Sequence, residues 1–195
     1  MPTFIRTLLP LALVLSLGSC GVNTIPTKEE AAKAAWGQVE NQYQRRADLI
    51  PNLVSTVQGY AKQEKDVLVG VTQARASASA IHLSPDDLRD PDKLAAYAKA
   101  QNNVSMALTQ LRPLQEAYPD LKSNANFMAL QSQLEGTENR ITIARQDYNN
   151  AVQDYNTTIR TFPAMIGAKT IYGSKPLQPF KATTADAQVA PTVKF

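Results

Sequence analysis

From Trp36 to Ile81, apolar side chains recur with a spacing near 3.5 residues, and this seam constrains the fold of the 195-residue chain more than any other feature. With Trp36 as heptad position a, the a positions are Trp36, Tyr43, Ile50, Val57, Glu64, Val71 and Ala78. The d positions are Val39, Arg46, Leu53, Tyr60, Val67, Ala74 and Ile81. Only Arg46 and Glu64 interrupt the apolar line, and the period is that of packed helices rather than strands. A helix cannot bury such a seam against itself, so the pattern requires helical partners of similar length.

Flanking signals set the expected elements. Thr27-Lys28-Glu29-Glu30 has the form of a capping box. The first helix is therefore expected from about Lys28 to about Ile81, a length of ~80 Å. Pro51 withholds an N–H from the Ala47 carbonyl and predicts a kink there, a true break being the alternative. Ser84-Pro85-Asp86-Asp87 and Asp90-Pro91 mark a loop. A second helix is expected from Pro91 to Tyr118 with Leu94, Tyr97, Val104, Leu108 and Leu111 on its apolar line and a bend at Pro113. A third begins near Ser123 or Asn124 and runs to Phe162. It sets large a residues (Phe127, Leu134, Ile141, Tyr148, Tyr155, Phe162) against mostly small d residues (Leu130, Thr137, Ala144, Ala151, Thr158). Ala164–Tyr172 suits a short fourth helix. The expected fold is all-α: an elongated antiparallel bundle of three long helices, the first kinked at Pro51, plus a short C-terminal helix.

The N-terminus reads separately. Arg6 precedes an apolar run from Leu8 to Leu17, about half the ~20 residues of a membrane-spanning helix. Leu17-Gly18-Ser19-Cys20 then places the one cysteine directly after small residues, which resembles a bacterial lipobox. Residues 1–19 are thus expected to be a lipoprotein leader, 20–27 a tether, 28–172 the bundle and 173–195 a flexible tail. A diacylated Cys20 would hold the domain firmly, since two chains anchor stably where one does so marginally. Gly21, rather than Asp, after the cysteine favours an outer membrane where there are two. The bundle would face the periplasm or the cell exterior. Without Arg6 the chain carries 19 basic against 17 acidic residues. No basic stripe or aromatic platform is present, which argues against nucleic acid.

Two blocks carry a resemblance to a known family: Trp36 through Ala76, and Tyr118 through Pro163 with YPDLKSN and LQSQLEGTENRITIARQDYNNAVQDYN. Together with the second helix they cover most of the mature chain, and they resemble the LemA family. The resemblance implies an antiparallel helical bundle in the cell envelope with no established catalytic or cofactor residues. By family association it implies TPM-domain proteins or an integral-membrane metalloprotease as partners. Many members begin with a transmembrane helix, whereas this chain has the shorter lipobox-type leader.

Chemical motifs are sparse. One His and one Cys fall short of a structural zinc site, and His82 has Ser79 rather than Glu three residues before it, unlike a di-iron bundle. No glycine-rich phosphate loop occurs, so neither an enzyme nor a cofactor is expected. The candidate residues are polar: Arg45, Arg46 and Asp48 before the kink, Glu64 in the seam, and Glu138, Asn139, Arg140, Arg145 and Asn149 on the third helix. Arg46 is expected to meet groups such as Glu138 or Asn149. These residues either fix register, as polar core residues do in coiled coils, or line a partner-binding groove. The leading expectation is a non-enzymatic, membrane-anchored scaffold or adaptor. The alternative is a self-associating structural protein that affects membrane shape or envelope stress tolerance. Ala164–Tyr172, with Met165, Ile166, Lys169, Ile171 and Tyr172, is the one stretch suited to a membrane surface.

Overall fold

The computed structural model describes residues 23–181, and within them the chain is all-α and free of strands. Helix α1 spans Thr24–Tyr60 and α2 spans Lys65–Ser79. A 3-10 turn, Asp87–Arg89, leads into α3, Pro91–Thr109. Two short helices, α4 (Arg112–Ala117) and α5 (Pro119–Lys122), precede α6, Ala125–Thr158. Helix α7, Ala164–Gly167, continues into a π-helical turn, Ala168–Tyr172. Lipidation of Cys20 and the leader lie outside the described residues.

The expected first helix is two helices. α1 passes through Pro51, where it is kinked, and instead ends at Tyr60; the chain reverses over Ala61–Glu64 and α2 returns along α1. Arg75 Nε on α2 donates to the Ala47 carbonyl at 2.7 Å. That carbonyl is the acceptor that Pro51, lacking an N–H, leaves free. The proline thus stays inside a helix because a side chain from the neighbouring helix takes over its missing donor. At the reversal, Glu64 precedes α2 and its carboxylate accepts from the Tyr118 hydroxyl at 3.1 Å. The heptad phase survives the turn because both helices bury their own apolar stripes, and a periodicity does not register a change of direction between them. The expected capping box does not form either. α1 starts at Thr24, the Thr27 hydroxyl bonds the Asn23 carbonyl, and Glu30 pairs with Lys33. The expected second helix ends at Thr109, with Pro113 placed in the first turn of α4, where a proline's missing N–H costs nothing.

α1 and α6 lie antiparallel. The pairs Lys28–Asp154, Gln42–Arg140, Arg46–Glu138 and Tyr60–Asn124 tie them from one end to the other. α3 runs alongside α1, with Tyr97 against Trp36 and Tyr43. The buried apolar residues form two clusters. One gathers Ile25, Trp36 and Tyr43 with Leu88, Tyr97, Tyr148 and Tyr155; the other gathers Ile50, Leu53 and Val57 with Val71, Val104, Leu114 and Phe127. Arg46 lies between them in sequence and is 1% exposed.

The loop before α3 is held by charge. Asp90 caps α3, accepting from the backbone N–H groups of Asp92 and Lys93. Asp87 accepts from the Ser84 backbone N–H and hydroxyl at 2.8 and 2.7 Å, and pairs with the Lys93 ammonium. The Lys93 contact first, then the Ser84 donors, hold the Asp87 carboxyl at about 2. A lowered carboxylate pKa contributes stability above its ordinary value that is lost as pH falls through the folded value. Asp87→Asn is therefore expected to lower the urea midpoint slightly at pH 7. The gap to the wild type should close as the pH drops from about 4 to about 2, measured by denaturation at a series of pH values.

The chain beyond the π-helical turn is docked where a loose tail was expected. Gly173 takes a left-handed backbone (φ 56°), which a glycine adopts without strain, and redirects the chain. Residues 174–181 then run back along α6 as an extended strap, with Leu177 and Phe180 buried. Residues 182–195 lie outside the described part.

Candidate functional site

Two polar arrangements and one largely apolar cleft lie among α1, α3 and α6. The first is the Arg46 layer. Nη1 donates to Ser105 Oγ (2.7 Å) and Glu138 Oε1 (2.8 Å); Nη2 donates to the Gln101 carbonyl and Oε1, both at 2.8 Å. The guanidinium also lies 5.0 Å from the Tyr43 ring centroid. A planar fork of donors is thereby matched to acceptors on α3 and α6, so the two helices are fixed in height against α1. The Arg46 side chain is 2% exposed and that of Glu138 is 40% exposed, so the pair has one dry and one wet end.

The wet end opens into a cleft of about 410 Å³. Leu53 of α1, Leu108 of α3, Leu111 before α4, and Phe127 and Leu134 of α6 supply its apolar lining. Polar groups of Gln115, Gln131, Glu135 and Glu138 border it. The cleft lies where α3 stops at Thr109 and the chain passes through Gln110 and Leu111 into α4.

The second polar arrangement clasps the strap. Asn149 Nδ2 donates to the Phe180 carbonyl (3.1 Å) while its Oδ1 accepts from the Phe180 N–H (2.8 Å). Asn156, one heptad on, does the same for Leu177 at 2.8 and 2.9 Å. The Tyr148 and Tyr155 hydroxyls donate to the carbonyls of Gln178 and Lys175. Pro176 and Pro179 favour an extended, three-residue-per-turn backbone, which puts Leu177 and Phe180 on one side. The Phe180 ring stacks on Trp36 at 5.6 Å and meets Tyr148 at 5.7 Å, with the Arg145 guanidinium 4.7 Å from it. Burial raises the phenols of Tyr43, Tyr97 and Tyr148, so all three stay neutral.

The structure brings together some of the expected polar residues and separates others. Arg46 meets Glu138 but not Asn149, which serves the strap, as Arg145 does through Phe180 and the Lys181 carbonyl. Glu64 contacts Tyr118 at the other end of the bundle. Arg140 contacts Gln42 and Thr137. Asp48 accepts from Gln44, while Arg45 and Asn139 are exposed. Sequence reading missed Gln101, Ser105, Arg75 and the strap. The heptad spacing of Asn149 and Asn156, matched to the three-residue spacing of Pro176 and Pro179, is the signal that would have found the last.

A cavity of about 90 Å³ brings His82 near Glu40, Tyr43 and Tyr97. Glu40 is raised by burial, and the indole of Trp36, one turn earlier, lies beside it without closing a well-formed hydrogen bond. Among the described residues, no group of three or more His, Cys, Asp or Glu is placed to hold a metal ion, and no helix is long and apolar enough to cross a membrane.

Fold and cleft together define, among the described residues, a strand-free helical bundle with an open cleft where α1, α3 and α6 meet. The chain belongs to the LemA family, whose model matches residues 35–195 and which is associated with the cell envelope. It is also similar to two magnetosome proteins, MamQ 1 and MamQ 2 of Paramagnetospirillum magneticum (strain ATCC 700264 / AMB-1). Each is 27% identical to it over 72% of this chain. The match spans 58% of the length of those relatives.

Proposed function

We propose that this protein is a non-enzymatic scaffold of the cell envelope. In this reading it is held at a membrane by lipid on Cys20 and receives a segment of a membrane-protein partner in the cleft between α3 and α6. The observation that carries the reading is the cleft itself: an apolar floor of Leu53, Leu108, Phe127 and Leu134 with glutamine and glutamate at its edge. That pattern suits the apolar face of a helix or an extended segment, with the polar edge setting its orientation. Arg46 and Glu138 act here as register residues that hold the cleft walls, while exposed Arg45, Asp48 and Asn139 are available to a partner. The MamQ relatives are named for a cellular structure rather than for a reaction, which supports an assembly role. TPM-domain proteins and membrane metalloproteases are the partner classes that family association suggests.

Photo-crosslinking in cells tests the proposal, with a crosslinking residue at Gln131 in the cleft and at exposed Asp147 as control. The expected result is one or two membrane proteins captured from Gln131, not from Asp147, and lost when Cys20→Ala is introduced. Recovery of self-crosslinks alone would replace the scaffold reading with self-association, which Met128 and Ile143, each 58% exposed on α6, also favour.

A further inference from the structure

The end of the bundle opposite the cleft carries apolar side chains that the core does not use. Phe162 is 78% exposed, Ile171 64%, Ile166 53% and Tyr172 43%, all within eleven residues of chain. Ala164, Gly167 and Ala168, between them in sequence, point inward and are buried. Charge along this stretch of chain has one sign: Arg160, Lys169 and Lys175 are exposed, and no acidic residue occurs between Asp154 and Lys181, while Asp154 at the same end is paired with Lys28.

The same end holds the start of α1. Ile25 packs in one cluster with Tyr155, Ile159, Ala164 and Ala168, and Lys28 bonds Asp154 at 2.9 Å. Four residue steps separate Cys20 from Thr24, so an anchor on Cys20 lies within ~14 Å of this end. We propose that Phe162, Ile166, Ile171 and Tyr172 form a membrane-docking face that enters the headgroup boundary of a bilayer, with Arg160, Lys169 and Lys175 meeting anionic headgroups. Exposed aliphatic and aromatic side chains beside basic ones have the composition of an interfacial contact. Lys169 and Arg160 reach headgroups while their stems lie along apolar neighbours. A lipid tether alone leaves the domain free to swivel; a second contact fixes its orientation. The placement beside the anchor rests on the Cys20 reading, whereas the affinity of the face for lipid does not.

The test uses the leaderless chain from Gly21, since residues 23–181 close their cores without the leader. Co-sedimentation with phosphatidylcholine vesicles, with and without phosphatidylglycerol, is compared for wild type, Ile166→Asp/Ile171→Asp and Lys169→Glu. Both isoleucines are exposed, and circular dichroism verifies that the variants fold. Wild type is expected to bind, more strongly to phosphatidylglycerol vesicles. The double aspartate variant should bind roughly tenfold to a hundredfold more weakly. Lys169→Glu should lose mainly the anionic preference. The proposal is overturned if wild type sediments with neither vesicle, or if the double variant binds as wild type does. It is equally overturned if the double variant alters only self-association in analytical ultracentrifugation, which would assign the face to a second copy. Fractionation of full-length Cys20→Ala tests the anchor separately. Retention of that variant in membranes with vesicle binding intact would remove the lipid anchor and leave the face standing.

Discussion

Arg46→Ala is expected to destabilise the folded protein by about 3–5 kcal/mol, the cost of breaking a buried charged network by removing one partner. Four bonds of 2.7–2.8 Å end on this side chain. Its loss takes from the Gln101 side-chain oxygen its guanidinium donor, and that oxygen has little access to water because Gln101 is 7% exposed, while the Gln101 carbonyl keeps its place in the α3 helical ladder. Glu138 suffers less, since its carboxylate recovers water through the cleft, and this places the effect toward the lower end of the range. Urea denaturation monitored by circular dichroism gives the number. A Glu138→Leu/Arg46→Met variant separates stability from specificity. Apolar replacement of a buried pair is often tolerated, so this variant is expected to recover much of the loss. It should also join the two apolar clusters into one, and with that weaken the fixed height of α3 and α6 against α1. Broadened amide resonances along the cleft walls, with stability near wild type, would mark Arg46 as a register device. Sharp resonances would mean that packing alone sets the register.

Phe180→Ala should release the strap. The ring is 6% exposed among Trp36, Tyr148 and Arg145, and truncating a buried phenylalanine costs about 3–5 kcal/mol. The strap's side-chain clasps come from α6, and it touches α1 through Trp36 and the 3-10 turn through the Leu88 carbonyl. It closes no part of the second cluster, so the loss should centre on the strap and the first cluster around it. The bundle is expected to melt nearly as wild type, while hydrogen exchange at the Leu177 and Phe180 amides accelerates roughly a hundredfold or more. Those two amides report directly, since each donates to an asparagine Oδ1. Asn149→Ala should give a smaller acceleration, about 1–3 kcal/mol in origin, by stripping one two-bond clasp. Parallel loss of global stability would show that the strap is part of the cooperative core.

The all-α bundle, its antiparallel packing and the kinked long helix follow from the heptad seam and Pro51. The seam is blind to direction, and for that reason the Ala61–Glu64 reversal was not legible: Tyr60, Glu64 and Val67 keep phase across a turn as they would across a helix. Arg46 was legible as a charge that needed a partner, and Glu138 as one of two candidates. Gln101 and Ser105 were not, because nothing in a sequence marks which neutral polar residues will face a buried cation. Asn149 illustrates the opposite error. Its position suggested the Arg46 layer, yet its amide, with both a donor and an acceptor, matches a peptide unit better than a guanidinium. The strap escaped notice because an extended segment has no helical period and its prolines read equally well as a loose linker. Phe162 has the right heptad position and is exposed, since the chain turns away at Thr158 before its side chain can reach the seam.

One consequence of α1 concerns distance. From Thr24 to Leu53 the helix climbs about 43 Å at its standard rise, without a break at Pro51. Under the proposed anchor on Cys20, with α1 rising away from the lipid, the cleft would stand well clear of the headgroups at the far end of this continuous, kinked helix. A protein lying flat on the lipid would pass beneath it, and only a partner that itself stands tall would reach the opening. In that proposed orientation selection by height would precede any selection by chemistry, and the Arg75 side chain that satisfies the Ala47 carbonyl helps keep α1 continuous.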